Sequence, residues 1–530
     1  MRLVSRALVI LFFYLPVLAS IYFFVQSILR QLSEGPIFEK YWTPYIEHAS
    51  YVSFSIGLVS TSLAVLISFF LGSLIFSLKK PWLEKIISFL ISVPHLAFFS
   101  GVFFFVSSSG FLSRIWSHFS SHSFYGFDHD PWAISFSVAL AFKESLFLIL
   151  IMLPFIFKKE NEAELTVSSS FGHSDFTFWT FALWPRIIQS LRYPIWMIIA
   201  FSISVVDLAI LLAPTNPPPF SIVLWEFFQS TDPDSQFKSI IGSFQLLLLL
   251  ISVIIAWELI VAVFLRLLKL RLKWPISRQI FYFKKSTFAL FLLLQLVPIF
   301  LVLLWAFTDE WTFPNLLPSS YTFTNFLAGI ANISSQILNT LTLAMLSSGL
   351  ATVVILVWLE WDQLTTRNWI MVPIFFVPIV PIITFLYGFD VFLNSFLKLN
   401  PFFSVLYIHL VLVFPYVFII LKSHFVKVDP RYKVTALSLG QSIVKFFFKI
   451  RVPLLLQGIL KAFSIGFAVS TAQYVSTLFV GGGKVETLTT QMVVAASSEN
   501  RKWIGVYGLL QIILPFFAFV LSEKISQEKT

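Results

Sequence analysis

Few residues in this chain have the type and spacing for chemistry. Gly481, Gly482, Gly483 and Lys484 resemble part of a phosphate-binding loop. That loop needs a Gly-Lys pair followed by Ser or Thr, so that backbone N–H groups cradle phosphates and a hydroxyl meets magnesium. Val485 follows the lysine, and the pattern fails. His118 and His122 are spaced for one helix face, as metal ligands are, and His129 lies in the same stretch. No third-ligand pattern accompanies them, so no metal site is expected. Lys143, Glu144, Asp207 and His409 stand in apolar runs. Ionisable groups at such depth are costly and face a cavity or one another. Adjacent residues do not share a helix face, so Lys143 and Glu144 should find different partners. Asp207 reads either as lining a polar path or as a structural partner, Lys143 being the candidate. His409 reads as an interhelical hydrogen-bond partner. There is no complete phosphate loop, metalloprotease motif or nucleophile elbow, so no catalytic residue is expected.

The elements that hold these residues follow from composition. Of 530 residues, 58% are hydrophobic and 12% charged, and mean hydropathy is +0.87. Many apolar runs reach the ~20 residues that span a hydrocarbon core. The expected fold is all-α, a polytopic membrane protein with little soluble mass. There is no cysteine, which excludes disulfides and thiolate metal sites. The net charge of +10 is spread over many short loops. It reads as topology, basic residues marking the cytoplasmic side, rather than as a nucleic-acid patch.

Periodicity and punctuation predict about twelve helices. They fall near 7–29, 51–77, 86–107, 134–157, 191–214, 239–264, 287–307, 339–358, 369–389, 404–421, 456–478 and 503–522. Pro94 should kink the third, and Pro373, Pro378 and Pro381 should bend or break the ninth. Arg2 and Arg6 precede an uncleaved first helix, and Lys524 and Lys529 follow the last, so both termini are expected in the cytoplasm. Lys79, Lys80, Lys85 and Arg367 mark inner turns. A basic stretch from Arg266 to Lys285 divides the chain into halves at 1–275 and 276–530, each with six spans. On this topology roughly three quarters of the Lys and Arg fall inside.

Each half carries a polar interruption between spans, at 158–190 and 422–455. With Gly440 set over Gly172, Ser438 meets Ser170, Ser442 meets Ser174, Phe446 meets Phe178 and Pro453 meets Pro185. The run before each glycine suits a short helix, and the glycine permits a left-handed bend. The serine two residues later can cap a second helix. The proline then fits a first turn, where its missing N–H is no loss. Each copy reads as helix, bend, helix, a rigid elbow beside the membrane.

The pair resembles the EAA coupling loops of permease subunits in binding-protein-dependent ABC importers, in particular the fused permeases of the thiamine, ferric-iron and polyamine group. Asp429, Pro430, Ala436, Ser438, Leu439, Gly440, Ser442, Phe446, Ile450, Pro453 and Leu454 fit the motif in the second copy. Ser170, Gly172, Ser174, Phe178 and Pro185 fit it in the first. The glutamate that names the motif is replaced by Thr166 and Val434.

The resemblance implies a permease in a bacterial inner membrane, without its own ATPase site or bound cofactor. ATP and magnesium would sit on two copies of a cytosolic ATPase that grip the elbows. A periplasmic binding protein would deliver the solute, with no nucleic acid involved. The helix after each elbow is then the candidate path lining. Aligning 205–212 with 471–479 sets Asp207 against Gln473, with Tyr474 beside it. The alternative is an ion-gradient-driven secondary transporter, which also has two related halves. It needs more intramembrane charges than this chain supplies.

Overall fold

The computed structural model describes residues 2–33, 41–78, 82–120, 126–270, 284–361 and 368–527. His122, Lys79, Lys80, Arg271, Lys273, Arg278, Arg367 and Lys529 lie outside them. Helices dominate, and a two-stranded pairing of Thr308–Glu310 with Ser320–Tyr321 is the only sheet among the described residues.

Ten helices among the described residues are long and apolar enough to cross a membrane. An eleventh is counted if Asp175–Ser190 and Arg192–Ser204, bent by 62°, form one span. The difference from twelve lies at the expected ninth. Its residues form two short helices, Asn368–Phe376 and Ile382–Phe392. Pro378 and Pro381 fall between them and cannot supply the N–H groups that would continue the ladder. Pro94 acts likewise, separating Trp82–Ser92 from His95–Val106. Elsewhere the spans are longer than the apolar runs suggested, as in Pro44–Leu78 and Pro233–Leu270. Exposed Leu248, Ile251, Ile255 and Leu259 follow the helical repeat along the latter, the pattern of a face turned to lipid.

Two compact units divide the chain. One comprises residues 1–34, 326–498 and 507–530, and the other 35–325 and 499–506. These ranges cut across the sequence halves. Arg2–Ser33 packs on Ser334–Trp361 and Ile382–Phe392, second-half helices. Ser20 Oγ donates to the Phe385 carbonyl at 2.7 Å. Gly388 lies so close to Ser20 that a Cβ would fall 2.0 Å from its carbonyl oxygen. In the other unit, Lys284–Ala306 packs on His95–Val106, a first-half helix. There Gly101 meets the Pro298 carbonyl with the same lack of room. Each half thus sends its leading helix to the unit built on the other half. Small residues permit both approaches, as they do between membrane helices generally.

Candidate coupling elbows and translocation site

The two elbows have one local geometry. Lys159–Ser170 and Arg431–Ser438 each end before a glycine in the left-handed region, Gly172 at φ 80° and Gly440 at φ 78°. Gly172 N–H donates to Ser169 O, and His173 N–H reaches back to Ser168 O. Gly440 and Gln441 repeat this with Leu437 and Ala436, the glycine-closed helix end. Ser174 Oγ accepts from Thr177 N–H and Ser442 Oγ from Lys445 N–H, both at 3.2 Å. These caps open Asp175–Phe178 and Ile443–Phe446. Phe178 and Phe446 are buried, as is Ala436. Ser170 and Ser438 turn their hydroxyls onto Val167 O and Thr435 O, closing the first helix of each elbow.

A wide π turn follows in both copies, Trp179–Leu183 and Phe447–Arg451. Pro185 and Pro453 stand in the first turn of the helices that come next. Neither can return an N–H to the carbonyl four residues back, so the helix widens by one residue. The sequence reading anticipated the proline but not the widening.

The copies differ in what holds them. In the first, Arg186 binds Glu164 at 2.5 and 3.1 Å within the elbow, both side chains about half exposed. That bond holds the Glu164 carboxyl below the usual carboxylate range. Asn161 Nδ2 donates to Phe155 O and Ile156 O at the end of the preceding span. Trp179 is buried among Phe69, Gly72 and Phe76 of Pro44–Leu78. In the second, Lys433 and Arg451 both bind Glu360.

Beyond each elbow a helix runs and breaks. Arg192–Ser204 is followed by two non-helical residues and then Asp207–Leu212. Val452–Thr471 is followed by a three-residue interruption and then Val475–Gly481. A ten-residue helix comes after each, Phe220–Gln229 and Leu488–Ser497. One offset, 268 residues (440 − 172), relates both glycines, both π turns, both restarted helices and both ten-residue helices. Ser221 Oγ donates to Val205 O at 3.2 Å, and its equivalent Thr489 Oγ1 donates to Thr471 O at 2.5 Å. Each hydroxyl satisfies a carbonyl freed by the break, as low-dielectric surroundings require.

This register sets Asp207 over Val475, and Gln473 over Val205. The pairing of Asp207 with Gln473 drawn from sequence is therefore two residues out. No proline marks either break, and the aligned pair Ser202 and Ser470 was the mark missed. Asp207 opens its short helix. Among the described residues no ion pair joins it to Lys143. Lys143 Nζ instead donates to Leu90 O at 2.7 Å and Val93 O at 2.6 Å. Glu144 binds His95 Nε2 at 2.9 Å. The two neighbours thus take opposite sides of the Pro94 break, as their different faces required. Asp207–Leu212 packs on His95–Val106, the helix that His95 begins.

Gln473 is half-buried, its Nε2 on Val469 O and its Oε1 taking Ser476 Oγ. Tyr474 is buried beside it. His409 bonds Ser470 Oγ at 2.8 Å through Nδ1 and Thr477 Oγ1 at 2.9 Å through Nε2. It so bridges the pieces of the broken helix, the interhelical role read from sequence. His129 Nδ1 lies 2.6 Å from Ala213 O, at the end of Asp207–Leu212. His118 lies on Phe111–Phe119. No group of three metal-ligating side chains occurs among the described residues. Gly482 and Gly483 have positive φ before Lys484, in the link between Val475–Gly481 and Leu488–Ser497.

Residues 363–528 match the family described as the binding-protein-dependent transport system inner membrane component. That segment contains the second elbow and the broken helix after it. The chain is an ABC transporter permease. Across 85% of its length the permease is 29% identical to an Escherichia coli protein, the inner membrane ABC transporter permease protein YnjC, covering 80% of that protein. It is also 25% identical over 257 residues to a Mycoplasma pneumoniae homolog of the spermidine/putrescine permease PotC, covering 89% of it. A Mycoplasma genitalium PotC homolog is 29% identical over 143 residues. With its many apolar spans, the permease is a multi-pass inner-membrane protein.

Proposed function

We propose that the permease is the membrane path of an ATP-driven importer, fed by a periplasmic binding protein and driven by two copies of a cytosolic ATPase. The observation that carries this is the repeated elbow: the same left-handed glycine, serine cap, π turn and broken helix, twice, at one offset. In this reading both termini and both elbows face the cytoplasm. ATP and magnesium sit on the ATPase, and this chain holds no cofactor. The elbow residues Ser170, Gly172, Ser174, Phe178, Pro185, Ala436, Ser438, Gly440, Ser442, Phe446 and Pro453 form the levers. Closure of the ATPase dimer moves the elbows, and the halves alternate between inward- and outward-open states around a central site.

Asp207, Gln473 and Tyr474 line the path at the helix breaks. The solute is small, of the thiamine, ferric-iron or polyamine kind. Asp207 favours a cation, because among the described residues its carboxylate has no cationic side chain paired with it, and an intramembrane carboxylate faces water or a positive charge. The spermidine/putrescine names of the Mycoplasma relatives agree with that charge.

The test is Gly440→Pro in the assembled complex. Gly440 sits at φ 78° and donates its N–H to Leu437 O, and proline, with φ fixed at about −65° and no N–H, can do neither. The variant is expected to insert normally while ATP hydrolysis ceases to drive uptake. Unchanged uptake would refute the lever role.

A further inference from the structure

We propose that Glu360 is a positioning residue: it locks the second elbow to its own span, so that the two elbows transmit force unequally. Glu360 is the second-last residue of Ser334–Trp361, and its side chain has no exposed surface. One oxygen accepts Lys433 Nζ at 2.6 Å, the other Arg451 Nε at 2.9 Å. Lys433 lies on the first helix of the elbow and Arg451 on its π turn. Both arms of the elbow therefore end on one buried carboxylate. The Arg451 guanidinium is flanked by the rings of Phe425 at 4.4 Å and Phe446 at 5.5 Å. Its own side chain is 6% exposed, that of Lys433 32%.

Among the described residues no buried ion pair ties the first elbow to Pro44–Leu78. At the same offset Leu165 stands for Lys433 and Leu183 for Arg451. Its ion pair, Glu164 with Arg186, closes within the elbow and is exposed to solvent, where such pairs hold weakly. Its contact with Pro44–Leu78 is aromatic, through Trp179. Aromatic packing has no bonded direction along the helix axis, so small sliding leaves most of its contacts intact. A buried carboxylate shared by two cations slides less readily: moving Lys433 strips a hydrogen bond from a carboxylate oxygen out of reach of water, and moving Arg451 leaves a buried guanidinium without its partner. The second elbow and Ser334–Trp361 thus move as one body, while the first elbow can rock on its span. The lock is a statement of geometry, and its effect on transmission rests on the proposed function.

The chain contains no cysteine, so spin labels can be placed without background. In full-length protein in nanodiscs, Ser438→Cys with Leu350→Cys reports the second elbow against its span. Ser170→Cys with Val59→Cys reports the first. Glu360→Gln should widen the second distance distribution at least twofold and leave the first unchanged. Should Glu360→Gln fold poorly, Lys433→Met keeps the Arg451 bond and should widen the same distribution. An unchanged second distribution in Lys433→Met, or equal widening of both, overturns the lock. In the complex with the ATPase, Lys433→Met should raise solute-independent hydrolysis at least threefold, and Glu164→Gln should not. Widened distances with unchanged hydrolysis in Lys433→Met overturn the unequal transmission. If Gly440→Pro is also without effect on coupling, it is the elbow reading itself that has failed.

Discussion

The two helix breaks, at Ser204–Asp207 and Thr471–Val475, share a backbone and differ in chemistry. The second is dressed in neutral groups. His409 spans it through Ser470 and Thr477, and Ser347 Oγ adds a bond to Ser470 Oγ at 3.1 Å. Among the described residues the first has no equivalent of that bridge, and Ser202, which takes the place of Ser470, is buried with its hydroxyl unpartnered. Ionisable groups stand there instead: Asp207 at the restart, with Lys143 and Glu144 fastening the Pro94 break on the helix packed against it. One scaffold thus carries a neutral, bridged hinge in one half and one with an ionisable group and no such bridge among the described residues in the other. A bonded hinge suits structure. A carboxylate without a counter-charge suits a passing cation, since holding it there otherwise only costs energy.

Substitutions can break that contrast, and their expected effects fall in order. Lys143→Met removes the donor for two carbonyls at the Pro94 break. It should destabilise by about 3 kcal/mol, read as a lowered midpoint in thermal unfolding in detergent. His409→Leu opens the second hinge. Two interhelical bonds go, each worth about 0.6 kcal/mol in a membrane protein, so the loss should be near 1 kcal/mol by the same assay. Thr489→Ala removes the bond to Thr471 O and the one accepted from Gln511 Nε2 and should cost about 1 kcal/mol, while Ser221→Ala removes the bond to Val205 O and should cost about 0.6 kcal/mol. A larger loss at Ser221 than at Thr489 would mean that the breaks are not equivalent. Asp207→Asn should shift stability least, by under about 0.5 kcal/mol, because no side-chain ion pair is lost. Its expected mark is on uptake by the assembled complex, reduced at least tenfold. A stability loss as large as that of Lys143→Met would make Asp207 structural instead.

The elbows were legible in the sequence because glycine, serine and proline each impose a local rule, and all three rules recur in register. The broken helices were only half legible. Pro94 and Pro378 announce their breaks, but those before Asp207 and Val475 have no proline, and the alignment slipped by two residues. The ten-residue helices were missed, since Phe220–Gln229 and Leu488–Ser497 are too short to read as spans. The Glu360 lock was missed because its partners lie 73 and 91 residues away. The signal was present: Glu360 is an acid at the end of an apolar run, and such a residue needs a named partner. The exchange of leading helices has no local signature. It depends on which surfaces meet, as at Gly388 and Gly101, and only the fold decides that.

A motor on one side of the membrane can drive both elbows only if both face the same solution. Ser170→Cys and Ser438→Cys, made singly in the cysteine-free chain, can be treated with a membrane-impermeant maleimide in intact cells and in inverted vesicles. Protection of both in cells and labelling of both in vesicles is predicted. Labelling of one site from each side of the membrane would contradict a pore driven by a motor on one face.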